Sequence, residues 1–413
     1  MSFRPGFIRG DAVMMFKNGR NIRGGFVMNH TYRAKSCRHR HSGRRSAFAV
    51  SVLAAVLIAA MSLTSFAFYQ NPAGKKGILI AGQEPEQLRD LKDLGIQQAV
   101  CNIGTDQNIA AYGTLASFCK NNGITMTMIV INRAGAGELV PTSQAVEGVG
   151  AQGTYGFNVL TDSGKAAVRD YARRIAALYH DSVSNWVIGN EVNDAVAWDF
   201  NGIMDIDAHA VTYTDAFRIF YEEIKNANPE ARVFIPFDMR WKAAAGEGYY
   251  TVADYLPRLN SMLKDLDYGI AWHAYPVHFF TKPEFLDDDG ITDDINTTPN
   301  INLKNIHLLT DYMQRPEMLS PAGTVRHLLL TEQGFTSACE NGEARQAQAI
   351  RDAWAVVQAN PYIEGFYLAR QVDAAPQVAV GGAFGLWTRN ENASADEMPA
   401  SKKEAWYVYQ SLN

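Results

Sequence analysis

The sequence predicts an α/β protein: a (β/α)8 TIM barrel preceded by an N-terminal signal peptide or signal-anchor helix. Three observations predict it. Eight short apolar or β-branched runs alternate with longer amphipathic stretches over roughly 340 residues, the number and spacing of such a barrel. Glutamates close the fourth and seventh runs, at the strand edge where barrels of this kind carry their chemistry. A charge-free apolar stretch follows a basic lead at the front of the chain.

The chain of 413 residues is 47% hydrophobic and 20% charged, which excludes wholesale disorder and gives ample material for a large core. Its net charge of -5 is unevenly distributed. Residues 1–45 hold 11 basic residues against one acid, Asp11, so the remainder carries 27 basic and 42 acidic residues. A body that acidic is poorly suited to gripping nucleic acid, and none is expected as a partner.

The leader divides in two. Residues 1–45 form a basic region expected to stay on the cytoplasmic side. Residues 46–68 are the hydrophobic region of a signal peptide or a transmembrane anchor, and no charge occurs between Ser46 and Gly74. Ser65-Phe66-Ala67 offers a small-x-small cleavage site, and Met14, Met15 and Met28 are alternative starts that shorten the lead. Either form places residues 75–413 outside the cell or on its surface, with membrane contact only through the N-terminal segment. Of the 4 cysteines, Cys37 lies in the leader. Cys101, Cys119 and Cys339 show neither metal-ligand spacing nor an even count, so buried thiols with at most one bridge are expected.

The body then reads in order. The first run, 77–82, leads into a helix at 84–94 through Gln83-Glu84-Pro85, without the glycine loop that a nucleotide-binding sheet requires. Runs at 98–104 and 125–132 follow, then a glycine-rich loop over 133–160. In that loop Tyr155, Phe157 and Asn158 either wall the cleft or pin the loop down. A helix at 165–180 has Asp162 and Ser163 as cap candidates. The fourth run, 185–191, precedes a helix at 211–226; the fifth, 232–238, precedes one at 252–266. The sixth, 269–275, is followed by an acidic loop holding Asp287, Asp288, Asp289, Asp293 and Asp294, which lacks calcium-loop spacing and reads as solvated. The seventh run, 326–332, leads to a helix at 344–359, and the eighth, 364–370, to a closing helix at 402–412. No repeat or linker interrupts 75–413, so one domain is expected.

Glu191 and Glu332 therefore come to one barrel mouth. A charge at the end of an apolar strand is costly without partners, and two facing each other suit glycoside hydrolysis. One carboxylic acid protonates the leaving oxygen while one carboxylate attacks the anomeric carbon, with no metal or cofactor. His273 and Tyr275, two apart at the end of the sixth run, point the same way. There Tyr275 donates to a nucleophilic carboxylate. Asn190 is placed to bond a sugar hydroxyl. Trp198 and Trp241 are candidates for stacking on sugar rings.

The runs NWVIGNEVN at 185–193, AFRIFY at 216–221, WHAYPV at 272–277, LLTEQGFTS at 329–337 and ARQVD at 369–373 carry a resemblance. Over residues 75–413 the chain resembles the clan A glycoside hydrolases, and more closely an uncharacterised bacterial domain-of-unknown-function family grouped with them. The resemblance implies a retaining glycosidase with Glu191 as acid/base and Glu332 as nucleophile, and with Asn190, His273 and Tyr275 binding substrate and supporting the nucleophile. It also implies an arginine near the nucleophile, for which Arg240 and Arg370 both qualify. Many clan A members carry a tryptophan platform at the end of strand eight; here Arg370-Gln371 stands there and the nearest tryptophan is Trp387. The expected function is hydrolysis of a β-linked extracellular oligo- or polysaccharide. The alternatives are a non-catalytic carbohydrate-binding barrel and a transglycosylase using the same two residues.

Overall fold

The computed structural model describes residues 67–141, 153–202, 204–243, 246–393 and 397–413. Eight strands form a closed parallel barrel in chain order: β1 (Lys76–Leu79), β2 (Gln98–Gly104), β3 (Thr125–Ile131), β4 (Asn185–Ile188), β5 (Arg232–Phe237), β6 (Tyr268–His273), β7 (Leu328–Gln333) and β8 (Ile363–Leu368). β8 closes on β1 in parallel register. The helices are α1 (Pro85–Asp93), α2 (Gly113–Asn121), α3 (Asp162–Tyr179), α4 (Ile206–Ala227), α5 (Val252–Leu263), α6 (His307–Met313), α7 (Gly342–Ala359), the short α8 (Ala375–Val378) and α9 (Glu404–Ser411). A small hairpin, β9 (Trp387–Arg389) with β10 (Pro399–Lys402), follows α8.

Because successive strand side chains face opposite ways, the apolar runs fill two layers. Leu79, Val100, Ile129, Ile131, Val187, Phe234, Ala271, Leu329 and Tyr367 pack in the lumen. Their neighbours Ile78, Met128, Val130, Trp186, Ile235, Ile270 and Leu330 face outward, in one cluster with Leu91, Ile175, Phe220, Leu256 and Ile350 of the helices. Burial on both faces explains why the strands read as continuous apolar runs.

The N-terminal end of the lumen is closed by polar groups. Tyr367 Oη bonds Thr127 Oγ1 and Gln98 Oε1, each at 2.7 Å. The incoming chain crosses this end: Tyr69 donates to Asn185 Oδ1 at 3.2 Å under the Arg232 guanidinium, and Gln70 N donates to Ser184 Oγ at 2.9 Å. The chain thus enters at the end of the barrel opposite the C-terminal strand edge.

Several expectations are corrected. α3 is capped by Thr161, whose Oγ1 accepts from Gly164 N at 3.0 Å, and Asp162 instead occupies the first turn. The acidic loop is not wholly solvated. Asp288 is buried, accepting from Val277 N at 2.8 Å and Asn302 Nδ2 at 2.7 Å, while Asp287 and Asp289 are exposed. The cysteine reading, by contrast, stands: Cys101, Cys119 and Cys339 are free thiols, the first two buried. The leader reading at 1–45 and 46–66 lies outside the described residues. Among the described residues no helix is long and apolar enough to cross a membrane.

Candidate active site

β4 stops at Ile188 because the next residues leave the extended conformation. Gly189 has φ +86° and Glu191 φ +39°. A side chain at Gly189 would place its Cβ 3.0 Å from Val192 Cγ1, so glycine suits this turn on both counts. A non-glycine residue with positive φ costs on the order of 1 kcal/mol or more and is typical of functional positions. The turn is fastened by Val192 N to Pro236 O at 3.1 Å and Asp194 N to Glu191 O at 2.7 Å. Across the mouth, Trp272 pairs with Leu330 but His273 pairs with Glu332, leaving Thr331 as an extra residue in β7. That bulge brings Glu332 level with His273.

The result is a cleft of about 450 Å³ lined by Glu191, Trp198, Asp238, Met239, Arg240, His273, Tyr275, Phe279, Phe280, Glu332, Gln377 and Phe384. Its two glutamates have different partners. Glu191 Oε1 lies 2.8 Å from His273 Nδ1, while Glu332 Oε1 accepts from Tyr275 Oη at 2.7 Å. Burial raises the Glu191 carboxyl, with the hydrogen bond and charge of His273 pulling the other way. Burial alone would lower His273, but its bond to Glu191 and the charges of Glu332, Glu191 and Asp238 together raise it. Burial and then the Glu332 charge push Tyr275 well up, so its phenol remains a donor.

Asn190 is buried beside this pair, and its Oδ1 has no hydrogen-bond partner among the described residues. His273 Nε2 is likewise buried without one. Arg240 lines the cleft but is held in place, with Nη2 bonding Asp194 Oδ2 at 2.7 Å and Nε bonding Asp238. Carboxylate oxygens of Glu191, Asp194 and Asp238 come within 4.8 Å of one another. The Arg240 guanidinium sits against the two aspartates and offsets part of their charge. Burial opposes its protonated form, but Asp238 and Asp194 outweigh that and raise its pKa.

The structure brings Glu191, Glu332, His273, Tyr275, Trp198 and Arg240 into one cleft, while Asn190, the residue before Glu191, is buried and does not line it. It places three expected binding residues elsewhere. Trp241 is buried, donating Nε1 to Ile295 O at 2.9 Å and packing edge-on to Tyr312, so it offers no face to a ligand. The β9–β10 hairpin carries Trp387 outside the mouth, where Nε1 donates to Asp90 Oδ2 at 2.9 Å beside Trp406 and Lys402. Arg370 lines a neighbouring hollow instead of the cleft. Tyr155, Phe157 and Asn158 hold their loop: Phe157 is buried against Phe220, Tyr155 meets Phe200 edge-on, and Asn158 Nδ2 donates to Glu138 O at 3.1 Å.

Sequence reasoning missed Asp238, Phe279, Phe280, Gln377 and Phe384. Asp238 carried a signal, being a carboxylate that closes an apolar run. The phenylalanines gave none, because they lie in irregular loops.

In the turn after Trp198, Asp199 is buried, its Oδ2 3.4 Å from His209 Nε2 but without a hydrogen bond, and burial raises its pKa to about 7. His209, Tyr213, Tyr250 and Tyr255 surround it, and burial lowers His209 to about 4. The folded state therefore holds a proton on Asp199 that the unfolded chain releases near ~3.9. Stability falls as pH rises from there through about 7. Asp199→Asn is expected to be more stable than the parent by about 2–4 kcal/mol at pH 8, a gain that shrinks as pH falls towards 4. Urea unfolding at several pH values measures it; a pH-independent difference contradicts the reading.

The description "Family of unknown function (DUF5722)" matches residues 105–413, from the end of β2 to the C-terminus. The chain belongs to the DUF5722 family. The matched part of this DUF5722 chain contains every residue lining the cleft. Its sequence matches no curated protein. Solved structures similar to it include a family 39 glycoside hydrolase from the gut symbiont Bacteroides cellulosilyticus WH2. That match has TM-score 0.58 at 16% identity and covers 83% of this chain and 64% of that one, just under two thirds of its length. A β-glycosidase, BGL167, matches with TM-score 0.54 at 13% identity over 81% of this chain and 95% of that one. A β-glucosidase from Thermotoga maritima in complex with cyclophellitol matches with TM-score 0.50 at 14% identity, over 79% and 84%. At these identities the similarity shows a shared barrel fold.

Proposed function

We propose that this DUF5722 protein is a retaining glycoside hydrolase acting on a β-linked oligo- or polysaccharide, with Glu191 as acid/base and Glu332 as nucleophile. The observation that carries the reading is the difference between the two carboxyls in one cleft. Glu191 is raised by burial, as a proton donor needs, while Glu332 accepts a hydrogen bond from the Tyr275 phenol in the same cleft. In the first step a Glu332 oxygen bonds the anomeric carbon as the glycosidic C–O bond breaks, and the leaving oxygen takes the Glu191 proton. Water then attacks the anomeric carbon, giving a proton to Glu191 and releasing Glu332. Trp198 supplies an aromatic face near the acid/base. The proposed setting is extracellular or cell-surface, because of the basic lead and apolar stretch at 1–68.

Incubation with a panel of activated 2-fluoro glycosides, followed by peptide mass spectrometry, tests the reading. A covalent adduct on Glu332 is expected. An adduct on another carboxylate, with Glu332 unmodified, overturns the assignment. Tyr275→Phe removes one charge-assisted hydrogen bond from the nucleophile, worth ~1.5–3 kcal/mol. It is expected to lower kcat/KM by roughly 10- to 100-fold, and unchanged kinetics would remove Tyr275 from the mechanism.

A further inference from the structure

Beside the catalytic cleft lies a second hollow of about 320 Å³, lined by Arg370, Arg389, Gln377 and Glu397 with Ala374, Ala375 and Pro376. Gln377 lines both, so the two spaces adjoin. Arg370 Nη1 donates to Gln377 Oε1 at 3.3 Å, and Nη2 pairs with Glu397 Oε1 at 3.2 Å. Its Nε is buried with no acceptor among the described residues. The Arg370 charge also acts on Tyr275, the partner of Glu332. Arg389, half-buried on β9, makes no side-chain hydrogen bond or ion pair among the described residues.

The charges of the two spaces are opposite. Three carboxyls, Glu191, Asp238 and Glu332, face the catalytic cleft against one guanidinium, Arg240, which Asp238 and Asp194 already bind. Among the described residues the neighbouring hollow has two guanidinia against one carboxylate, which Arg370 already pairs, leaving Arg389 as the uncompensated cation in a body where acids outnumber bases 42 to 27. An acidic sugar is repelled beside Glu332 and attracted beside Arg370 and Arg389, where a planar fork of N–H donors matches two anionic oxygens.

We propose that the Arg370–Arg389 hollow is a subsite for an acidic sugar unit, one bearing a carboxylate or a sulfate ester, adjoining the unit whose bond is cleaved. The proposal rests on the glycosidase reading for its place next to a scissile bond, but its binding is separable. The two spaces of opposite sign fix the direction in which an acidic glycan lies.

The test is a binding measurement on the full chain carrying Glu332→Gln, with β-linked oligosaccharides of equal length in neutral, uronate-bearing and sulfate-bearing forms. Acidic forms are expected to bind roughly tenfold or more tightly than neutral ones at low salt, with the preference shrinking as salt rises. Arg389→Ala is expected to erase the preference, and its affinity for the neutral forms reports that the variant is folded. Preference for uronates alone or sulfates alone supports the subsite and names the anion. Equal or tighter binding of neutral forms, absence of binding to any acidic form, or an undiminished preference in Arg389→Ala overturns it. Acidic preference in a chain whose wild-type form hydrolyses none of these glycans leaves the subsite standing and removes the hydrolase. Hydrolysis of neutral glycans without acidic preference does the reverse.

Discussion

Glu332→Gln is expected to lower turnover by on the order of 10⁴-fold or more, since the variant lacks the atom that forms the covalent bond. The substitution is nearly isosteric and its amide oxygen still accepts from Tyr275, now 2.7 Å away. Glu332 stands on a bulged strand, paired with His273 on one side and followed by Gln333, which pairs with Leu368 on the other. Folding should therefore change little, and thermal unfolding of the variant serves as the control. What is lost is the negative charge that, in the proposed mechanism, attacks the anomeric carbon. Glutamine cannot supply it, so the loss is expected with good and poor leaving groups alike. A variant that keeps a tenth of the parent activity, with its fold intact, would remove Glu332 from the nucleophile role.

The barrel was legible because its strands are buried on both faces. Runs such as Thr125–Ile131 show no polar alternation, and β2 and β3 fall where the runs place them. The strand ends were less legible. The run at 185–191 reads as one strand, yet Gly189 and Glu191 turn into positive φ, and only the folded backbone shows how Glu191 reaches the cleft. The Thr331 bulge leaves no mark on composition, although it decides which β7 residue stands opposite His273.

Position at a strand end located the carboxylates, but it does not say which face a large side chain takes. Trp241 follows β5 and turns into the core, whereas Trp198, in the turn after Glu191, lines the cleft. The helices α2 and α6 were not singled out in the sequence, although α1, as long as α2, was; α1 carries the Glu84-Pro85 start signal that α2 and α6 lack. Phe384 shows how loop residues reach the site. Its ring packs where a side chain at Gly334 would stand, with Cγ 2.6 Å from that Cβ, an arrangement joining two loops far apart in sequence.

For Glu191→Gln the expected loss depends on the leaving group, and this separates an acid/base from a residue that only shapes the cleft. Breaking a bond to an ordinary sugar hydroxyl requires a proton on the departing oxygen, so kcat/KM for a natural glycan should fall by about 10²–10⁴-fold. A dinitrophenyl glycoside leaves as a stable phenolate without that proton, and its kcat/KM, which reports the first bond-breaking step, should change only a few-fold. Its kcat should still fall, because water attacking the glycosyl-enzyme needs the same residue as a base. The pH profile gives a second reading. Burial holds the Glu191 proton above the ordinary carboxylate range, so parent kcat/KM on the natural glycan should decline as pH rises through that raised value. The variant has no proton to lose there, and its profile should lack that alkaline limb. Equal losses with good and poor leaving groups, or an unchanged alkaline limb, would move the acid/base role away from Glu191 and towards a neighbour such as His273, Asp194 or Asp238.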